Sequence, residues 1–207
     1  MLLTSRRRRM NDLFARLAVG TLFALLSINL ASDFMQTFRV TGLMLLVSEA
    51  LVAVLTIVRR PAGIVDRSVG ATVVTMISLI GPALLRTSPG PGVFPDPLTA
   101  LIASAGLLLV IAGKITLGRS FGIVPANRGV VIAGPYTFVR HPIYTGYLLS
   151  HVAFACAYPT PWNLAILAAT DVALVVRALY EERVLVNDRM YQAYCSRVAW
   201  HLVPGVF

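Results

Sequence analysis

The chain has 207 residues, of which 57% are hydrophobic and only 13% are charged, and its mean hydropathy is +0.77. This composition excludes an ordinary soluble globular domain. A chain with so few charged side chains is typical of a protein whose surroundings are largely lipid. The formal net charge is +9. The basic residues flank apolar segments instead of forming one patch, which argues against a nucleic-acid-binding protein.

Six apolar segments follow one another along the chain, at residues 17–31, 40–58, 69–85, 98–117, 143–158 and 162–179. A membrane-spanning helix needs about 20 apolar residues, so the first segment is a little short. None of the segments has the strict alternation of a transmembrane β-barrel. The sequence therefore predicts an all-α fold, a polytopic transmembrane helical bundle of five or six spans.

The positions of the arginines predict the topology. Arg6, Arg7, Arg8 and Arg9 precede the first segment, and Arg59, Arg60 and Arg67 separate the second from the third. The opposite side receives only Arg39 and Arg86. The positive-inside rule then places both termini in the cytoplasm, and we expect the inner membrane of a bacterium. The arginine run could also begin a signal peptide, but no cleavage pattern follows at residues 29–33, which favours a retained anchor.

The chain changes character near Gly118. Residues 1–117 are predicted to form about four spans, and residues 118–207 to form a cofactor loop, a helical hairpin and a cytoplasmic tail. Pro159 and Pro161 predict a tight turn between the last two spans. The two spans are then antiparallel, and the residues before the first and after the second meet at one membrane face.

Two polar clusters bracket this hairpin. The first contains Tyr136, Arg140, His141 and Tyr144, and the second contains Arg177, Glu181 and Glu182. Carboxylates suit the cationic groups of S-adenosylmethionine, arginine and histidine suit its carboxylate, and tyrosines suit its adenine ring. Arg177 lies four residues before Glu181, so it could pair with Glu181 or face an anionic acceptor.

The two clusters resemble the isoprenylcysteine carboxyl methyltransferase and phospholipid methyltransferase superfamily. The pattern is G-x-Y-x-x-x-R-H-P-x-Y-x-G, then R-x-x-x-E-E-R-x-L after the hairpin, then Y-x-x-Y-x-x-x-V. The matching residues are Gly134, Tyr136, Arg140, His141, Pro142, Tyr144, Gly146, Arg177, Glu181, Glu182, Arg183, Leu185, Tyr191, Tyr194 and Val198. The family's usual Phe-Gly pair is replaced by residues 187–190, which loosens the register of the tail.

The resemblance implies an S-adenosylmethionine-dependent methyltransferase that acts on a lipophilic or lipidated acceptor among membrane lipids. The cofactor pocket would be lined by Arg128, Val130, Val131, Tyr136, His141, Pro142, Tyr144 and Glu181. Arg140 would be a further hydrogen-bond donor to the carboxylate of the cofactor. Arg177 matches the arginine that faces the acceptor. If the acceptor were a phenol or an amine, Glu182 or His141 could take its proton.

Other polar residues leave alternatives open. His141, His151 and His201 are isolated in the sequence and the cysteines have no CxxC spacing, so we predict no metal site. Glu49 and Asp171 lie inside apolar segments, where an unpaired acid costs several kcal/mol, so each is a candidate for function or for polar packing. A membrane NADPH-dependent reductase and a non-enzymatic transporter remain rival interpretations, although neither a GxGxxG motif nor an internal repeat is present.

Overall fold

A computed structural model describes residues 13, 16–17, 20–25, 27–28, 31–32, 35, 40–86 and 91–207. The described part of the chain is mostly helical. The arginine run at residues 6–9, Arg39 and residues 87–90 lie outside the described residues, as do residues 18–19, 26 and 29–30 of the first predicted span. The described residues of that span are helical.

From residue 40 onward, the described residues form six helices and one short strand pair. They are α1 (Val40–Val58), β1 (Ile64–Val65), α2 (Val69–Ile80), α3 (Asp96–Leu117), β2 (Ala126–Asn127), α4 (Pro142–Ala157), α5 (Pro161–Leu185) and α6 (Arg189–Cys195). Short 3-10 turns follow α2 at Gly81–Leu84 and α3 at Gly118–Ser120, and another precedes α4 at Gly134–Thr137. Five of the six predicted apolar segments therefore correspond to helices over closely similar residues.

Local signals explain where these helices begin and end. The Ser68 hydroxyl accepts a hydrogen bond from Ala71 N at the start of α2, and Thr160 does the same for Asn163 N at the start of α5. Gly118, with φ of 50°, ends α3 in a conformation that suits glycine. The α5 helix runs six residues past the predicted apolar segment.

The loops form two groups at opposite ends of the bundle. At one end, Arg60 N donates to Arg119 O at 2.7 Å, and β1 pairs antiparallel with β2. At the other end, Val93 N donates to Cys156 O at 2.7 Å and Trp162 Nε1 donates to Leu84 O at 3.0 Å. The helices therefore alternate in direction, and we call the end that contains β1 and β2 the polar end.

The helices α3 and α4 approach most closely where two glycines meet. A Cβ atom built on Gly146 would lie 2.5 Å from Gly106 O, and one built on Gly106 would lie 2.6 Å from Gly146 O. Only glycine permits this backbone contact, as at many helix interfaces inside membranes. Within the described residues, two helices are long and apolar enough to cross a bilayer, Asp96–Ser120 and Pro161–Leu185.

The two acids inside predicted apolar segments, Glu49 and Asp171, both have partners. Lys114, completely buried in α3, donates to Ser48 O at 3.0 Å and to Ser48 Oγ at 2.8 Å, and its Nζ is 3.8 Å from Glu49 Oε1. Asp171 on α5 contacts His151 on α4. Each acid is thus held by a basic group from another helix, which offsets part of the cost of placing it among apolar segments.

Candidate active site

The hairpin of α4 and α5 brings the two predicted clusters together at the polar end. Pro142 is the first residue of α4, a position that suits its fixed φ and missing N–H. We call the side chains of Arg140, His141, Tyr144, Arg177, Glu181, Glu182 and His201 the carboxylate cluster.

Glu182 receives partners from two other parts of the chain. Its Oε2 is 3.3 Å from Arg140 Nη1, and its Oε1 is 3.1 Å from His141 Nε2. His201 Nδ1, from the tail, is 2.6 Å from the same Oε1. The Glu182 side chain is only 16% exposed, so these contacts are protected from much of the screening that weakens surface ion pairs.

Glu181 has a separate set of partners. The Tyr144 hydroxyl donates a hydrogen bond to its Oε1. His141 Nδ1 is 3.7 Å from Oε2, and the His141 ring stacks parallel to Tyr144 with 5.6 Å between centroids. His141 therefore lies between the two carboxylates, with one ring nitrogen toward each.

Arg177 is buried and all three of its guanidinium nitrogens have neighbours within the protein. Nη1 donates to Ser78 Oγ at 3.2 Å and Nη2 donates to Ile123 O at 2.5 Å. Nε is 3.5 Å from Glu181 Oε1, the pairing that the four-residue spacing predicts, although without hydrogen-bond geometry. The guanidinium also lies 5.2 Å from the centre of the Tyr144 ring.

The tail runs along the start of α4. Arg140 N donates to Trp200 O and His141 N donates to His201 O, each at 2.9 Å. The Thr145 hydroxyl donates to Leu202 O at 2.7 Å. These bonds fix the backbone of the tail and so place the His201 side chain against Glu182.

A second, aromatic cluster adjoins the first. Tyr136, Tyr191, Tyr194 and Val198 are buried together, with Val130 and Val131 packed against them. The Tyr194 hydroxyl donates to Tyr136 O at 2.6 Å. Burial raises the pKa of Tyr136, Tyr191 and Tyr194, and the charges of Glu181 and Glu182 add to this effect for Tyr136 and Tyr191 respectively. All three phenols are therefore neutral at physiological pH.

Arg128 is buried in the loop between α3 and α4. Its guanidinium occupies the space that a side chain at Gly122 would fill, and its Nη1 lies 3.5 Å from Val124 O. The Ser120 hydroxyl donates to Arg128 O at 3.2 Å. The loop is joined to the tail by Asn127 Nδ2, which donates to Asp188 Oδ2 at 3.0 Å.

The three histidines, isolated in the sequence, have partners in the folded chain. His141 and His201 share Glu182, and His151 pairs with Asp171. The donor atoms of His141, Glu182 and His201 lie within 4.8 Å of one another, a spacing that a metal ion could use. His201 was not predicted as a site residue, because no local sequence motif indicates that the tail folds back onto the end of α5. The absence of a metal site stays a prediction.

The predicted site residues thus fall into three groups. Arg140, His141, Tyr144, Arg177, Glu181 and Glu182 are in mutual contact, while Tyr136, Val130 and Val131 belong to the adjoining aromatic cluster. Pro142 begins α4 between them, and Arg128 braces the loop. A surface cavity of about 350 Å³ lies between the tail and the segment before α4, and Phe138, Val198 and Trp200 contribute to its lining.

Comparison with known families agrees with the motifs. Residues 99–193 match the family model of the phospholipid methyltransferases. That family is part of the isoprenylcysteine and phospholipid methyltransferase superfamily, so the match agrees with the resemblance carried by the motifs. The matched region begins in α3 and ends in α6, so it includes the glycine contact, the hairpin and most of the carboxylate cluster, but not His201. A comparison with curated proteins finds no match. The family match and the two long apolar helices together indicate a membrane methyltransferase.

Proposed function

We propose that the protein is an S-adenosylmethionine-dependent methyltransferase that methylates a lipophilic acceptor at the cytoplasmic face of the membrane, as isoprenylcysteine carboxyl methyltransferases do. The observation that carries this proposal is the meeting of Glu181 and Glu182 with Arg140, His141 and Tyr144, inside a region that matches a methyltransferase family. The acceptor class, the cofactor and the cytoplasmic position belong to the proposal.

The side chains present fit S-adenosylmethionine by their chemistry. Glu181 and Glu182 are only partly buried and suit the cationic groups of the cofactor. Arg140 and His141 suit its carboxylate, and the neighbouring Tyr136 and the apolar Val130 and Val131 suit its adenine. When bound, S-adenosylmethionine supplies a methyl group carried on a sulfonium cation.

The protein's contribution is alignment and exclusion of water. Methyl transfer is an in-line displacement, so acceptor and donor must be held in line. Arg177, fixed by Ser78 and Ile123, presents a buried cation beside Tyr144 that can orient an anionic acceptor. The tail covers the start of α4 and limits the access of water.

Proton removal is required only for some acceptors. A carboxylate or thiolate acceptor needs no base, whereas a phenol or an amine does. Glu182 is held by Arg140, His141 and His201, which stabilise its ionised form and make it a weak base. This arrangement favours an acceptor that arrives already ionised.

The test is calorimetric titration of the detergent-purified protein with S-adenosylmethionine and with S-adenosylhomocysteine. We expect saturable binding in the wild type and its loss in Glu181→Ala and His141→Ala. The matched control is Asp96→Asn, which removes an exposed carboxylate at the opposite end of the bundle. Thermal unfolding of each variant establishes that it is folded.

The outcomes separate the proposal from its rivals. Binding that is lost in both site variants and kept in the control supports the proposal. Absence of binding in folded wild-type protein contradicts it, and binding of NADPH instead would favour a reductase. Transport without methylation, lost in Arg177→Ala, would favour a transporter.

A further inference from the structure

A second polar pair lies in the same hairpin, away from the carboxylate cluster. His151 Nδ1, on α4, is 2.5 Å from Asp171 Oδ1, on α5. The residues that follow His151 and Asp171, namely Val152 and Val172, are more than half exposed, and the flanking sequence is mostly apolar apart from Ser150 and Thr170. None of the roles assigned to the carboxylate cluster uses it.

The pair is aligned with that cluster along both helices. His151 follows Tyr144 by seven residues, and Asp171 precedes Glu182 by eleven. Both separations are close to whole numbers of helical turns, so each pair of residues lies on one helix face. Seven residues correspond to a rise of about 10.5 Å, which places His151 about two turns deeper in the bundle than Tyr144.

The histidine keeps one nitrogen available. Its Nδ1 faces Asp171, and in the described residues no second hydrogen-bond partner is found for the ring, nor is Nε2 among the polar atoms that are both fully buried and unpaired. The Asp171 side chain is 29% exposed. The His151 side chain is itself only 9% exposed, so the pair is reached mainly from the side of Asp171, and a single small polar group of a ligand could approach Nε2.

The carboxylate decides what the open nitrogen can do. An ionised Asp171 accepts the Nδ1 proton, which leaves a lone pair on Nε2. A carboxylate-oriented imidazole of this kind accepts a hydrogen bond from a hydroxyl or an amine. In apolar surroundings such a bond discriminates well, because a ligand without the donor leaves the nitrogen unsatisfied.

We propose that His151 and Asp171 form a recognition site for a hydrogen-bond-donating group, a hydroxyl or an amine, carried by the lipophilic acceptor about 10 Å from its methylated end. The assignment of the ligand as the acceptor rests on the proposed methyl transfer. In the alternative role, the pair only holds α4 to α5. That role needs the hydrogen bond at Nδ1 and needs no ligand at Nε2.

Three probes that differ in one group test this proposal. They are 4-dodecylphenol, which donates a hydrogen bond, 4-dodecylanisole, which only accepts one, and dodecylbenzene, which does neither. We expect the wild-type protein in detergent to bind the phenol about tenfold more tightly than either other probe. Binding is measured without S-adenosylmethionine, so failure of the proposed methyl transfer would not obscure the result.

His151→Asn separates recognition from helix packing. The Asn amide can still donate to Asp171 from near the Nδ1 position, but it has no group at Nε2. We expect it to abolish the preference for the phenol while leaving the melting temperature close to that of the wild type. The control is Ser150→Ala, whose hydroxyl faces Ala103 O and Gly146 O instead, and which should keep the preference.

Two results would overturn the proposal, namely equal binding of phenol and anisole by the wild type, and a preference for phenol that survives in His151→Asn. If that variant does not fold, ¹⁵N spectra of the wild type replace it. The chain has three histidines, and we expect the phenol, but not the anisole, to shift one unprotonated ring nitrogen. No shift would contradict the assignment.

Discussion

His201 Nδ1 lies 2.6 Å from Glu182 Oε1, so the tail is attached to the end of α5 by a side-chain contact across nineteen residues. The His201 ring also stacks on Phe207, with 4.6 Å between centroids. The tail is thus held both by its backbone, along the start of α4, and by this histidine. Its position over the carboxylate cluster depends on a residue that lies outside the matched family region.

Replacing His201 should loosen the tail. In His201→Ala, Glu182 loses one partner, and we expect the free energy of unfolding to fall by about 1 kcal/mol. The amides of Arg140 and His141, which donate to Trp200 O and His201 O, should exchange with solvent faster. Hydrogen exchange followed by mass spectrometry measures this. Arg197→Ala, an exposed change in the same tail, is the control, and equal protection in both variants would contradict the prediction.

The crossing of α3 and α4 should be intolerant of any side chain. Gly146→Ala would place a Cβ 2.5 Å from Gly106 O and 2.7 Å from Val110 Cγ2, which forces the two backbones apart. We expect a loss of about 1 to 3 kcal/mol in stability, measured by thermal unfolding in detergent. Gly63→Ala is the matched control, because nothing lies within 4 Å of its Cβ position. Equal melting temperatures for the two variants would show that the helices are not in this contact.

Arg177 should not be replaceable by lysine. Arg177→Lys keeps the positive charge, but one Nζ replaces the two separate nitrogens, Nη1 and Nη2, that donate to Ser78 Oγ and Ile123 O, so we expect at least one of these bonds to be lost. A buried acceptor left without its donor costs about 1 to 3 kcal/mol, so stability should fall by an amount in that range. Chemical or thermal denaturation measures it, with the exposed Arg183→Lys as the control. A stability as high as that of the control would mean that the charge alone is what the site needs.

The start of α6 should make stability depend on pH. Hydrogen bonds from the Asn127 side chain and from Met190 N lower the pKa of Asp188. Because the folded pKa is below the unfolded one, this contribution is fully present above the unfolded pKa and is lost as the pH falls through the folded pKa. We expect the stability of the wild type relative to Asp188→Asn to decline on acidification below about pH 4. The melting temperature between pH 3 and 6 measures it, and parallel curves would contradict it.

The sequence predicted the hairpin well because its signals are local. Pro159 and Pro161 mark the turn. Two antiparallel helices joined by so short a turn bring the start of the first and the end of the second to the same end of the bundle. The same reasoning could have paired His151 with Asp171, since they lie nine residues before and eleven residues after Thr160. The sequence therefore contains enough information to predict His151 as the partner of Asp171, although Asp171 was predicted only as a candidate for function or for polar packing.

Other contacts depend on packing that no local pattern encodes. The Lys114 ammonium reaches Ser48 across α1 and α3, and the tail returns to Glu182 only after the short helix α6. Arg177 was predicted either to pair with Glu181 or to face an acceptor, and spacing alone could not place Ser78 and Ile123 beside it. Roles for these residues in catalysis remain predictions.

The position of His201 also fixes the order in which the carboxylate cluster can be completed. A ribosome delivers Arg140 and His141 first, and Glu182 follows once the hairpin of α4 and α5 has been made. Until His201 leaves the ribosomal tunnel, Glu182 has partners from one side only. The hairpin of α4 and α5 can therefore form during synthesis, but the covered form of the cluster arises only after His201 has left the tunnel.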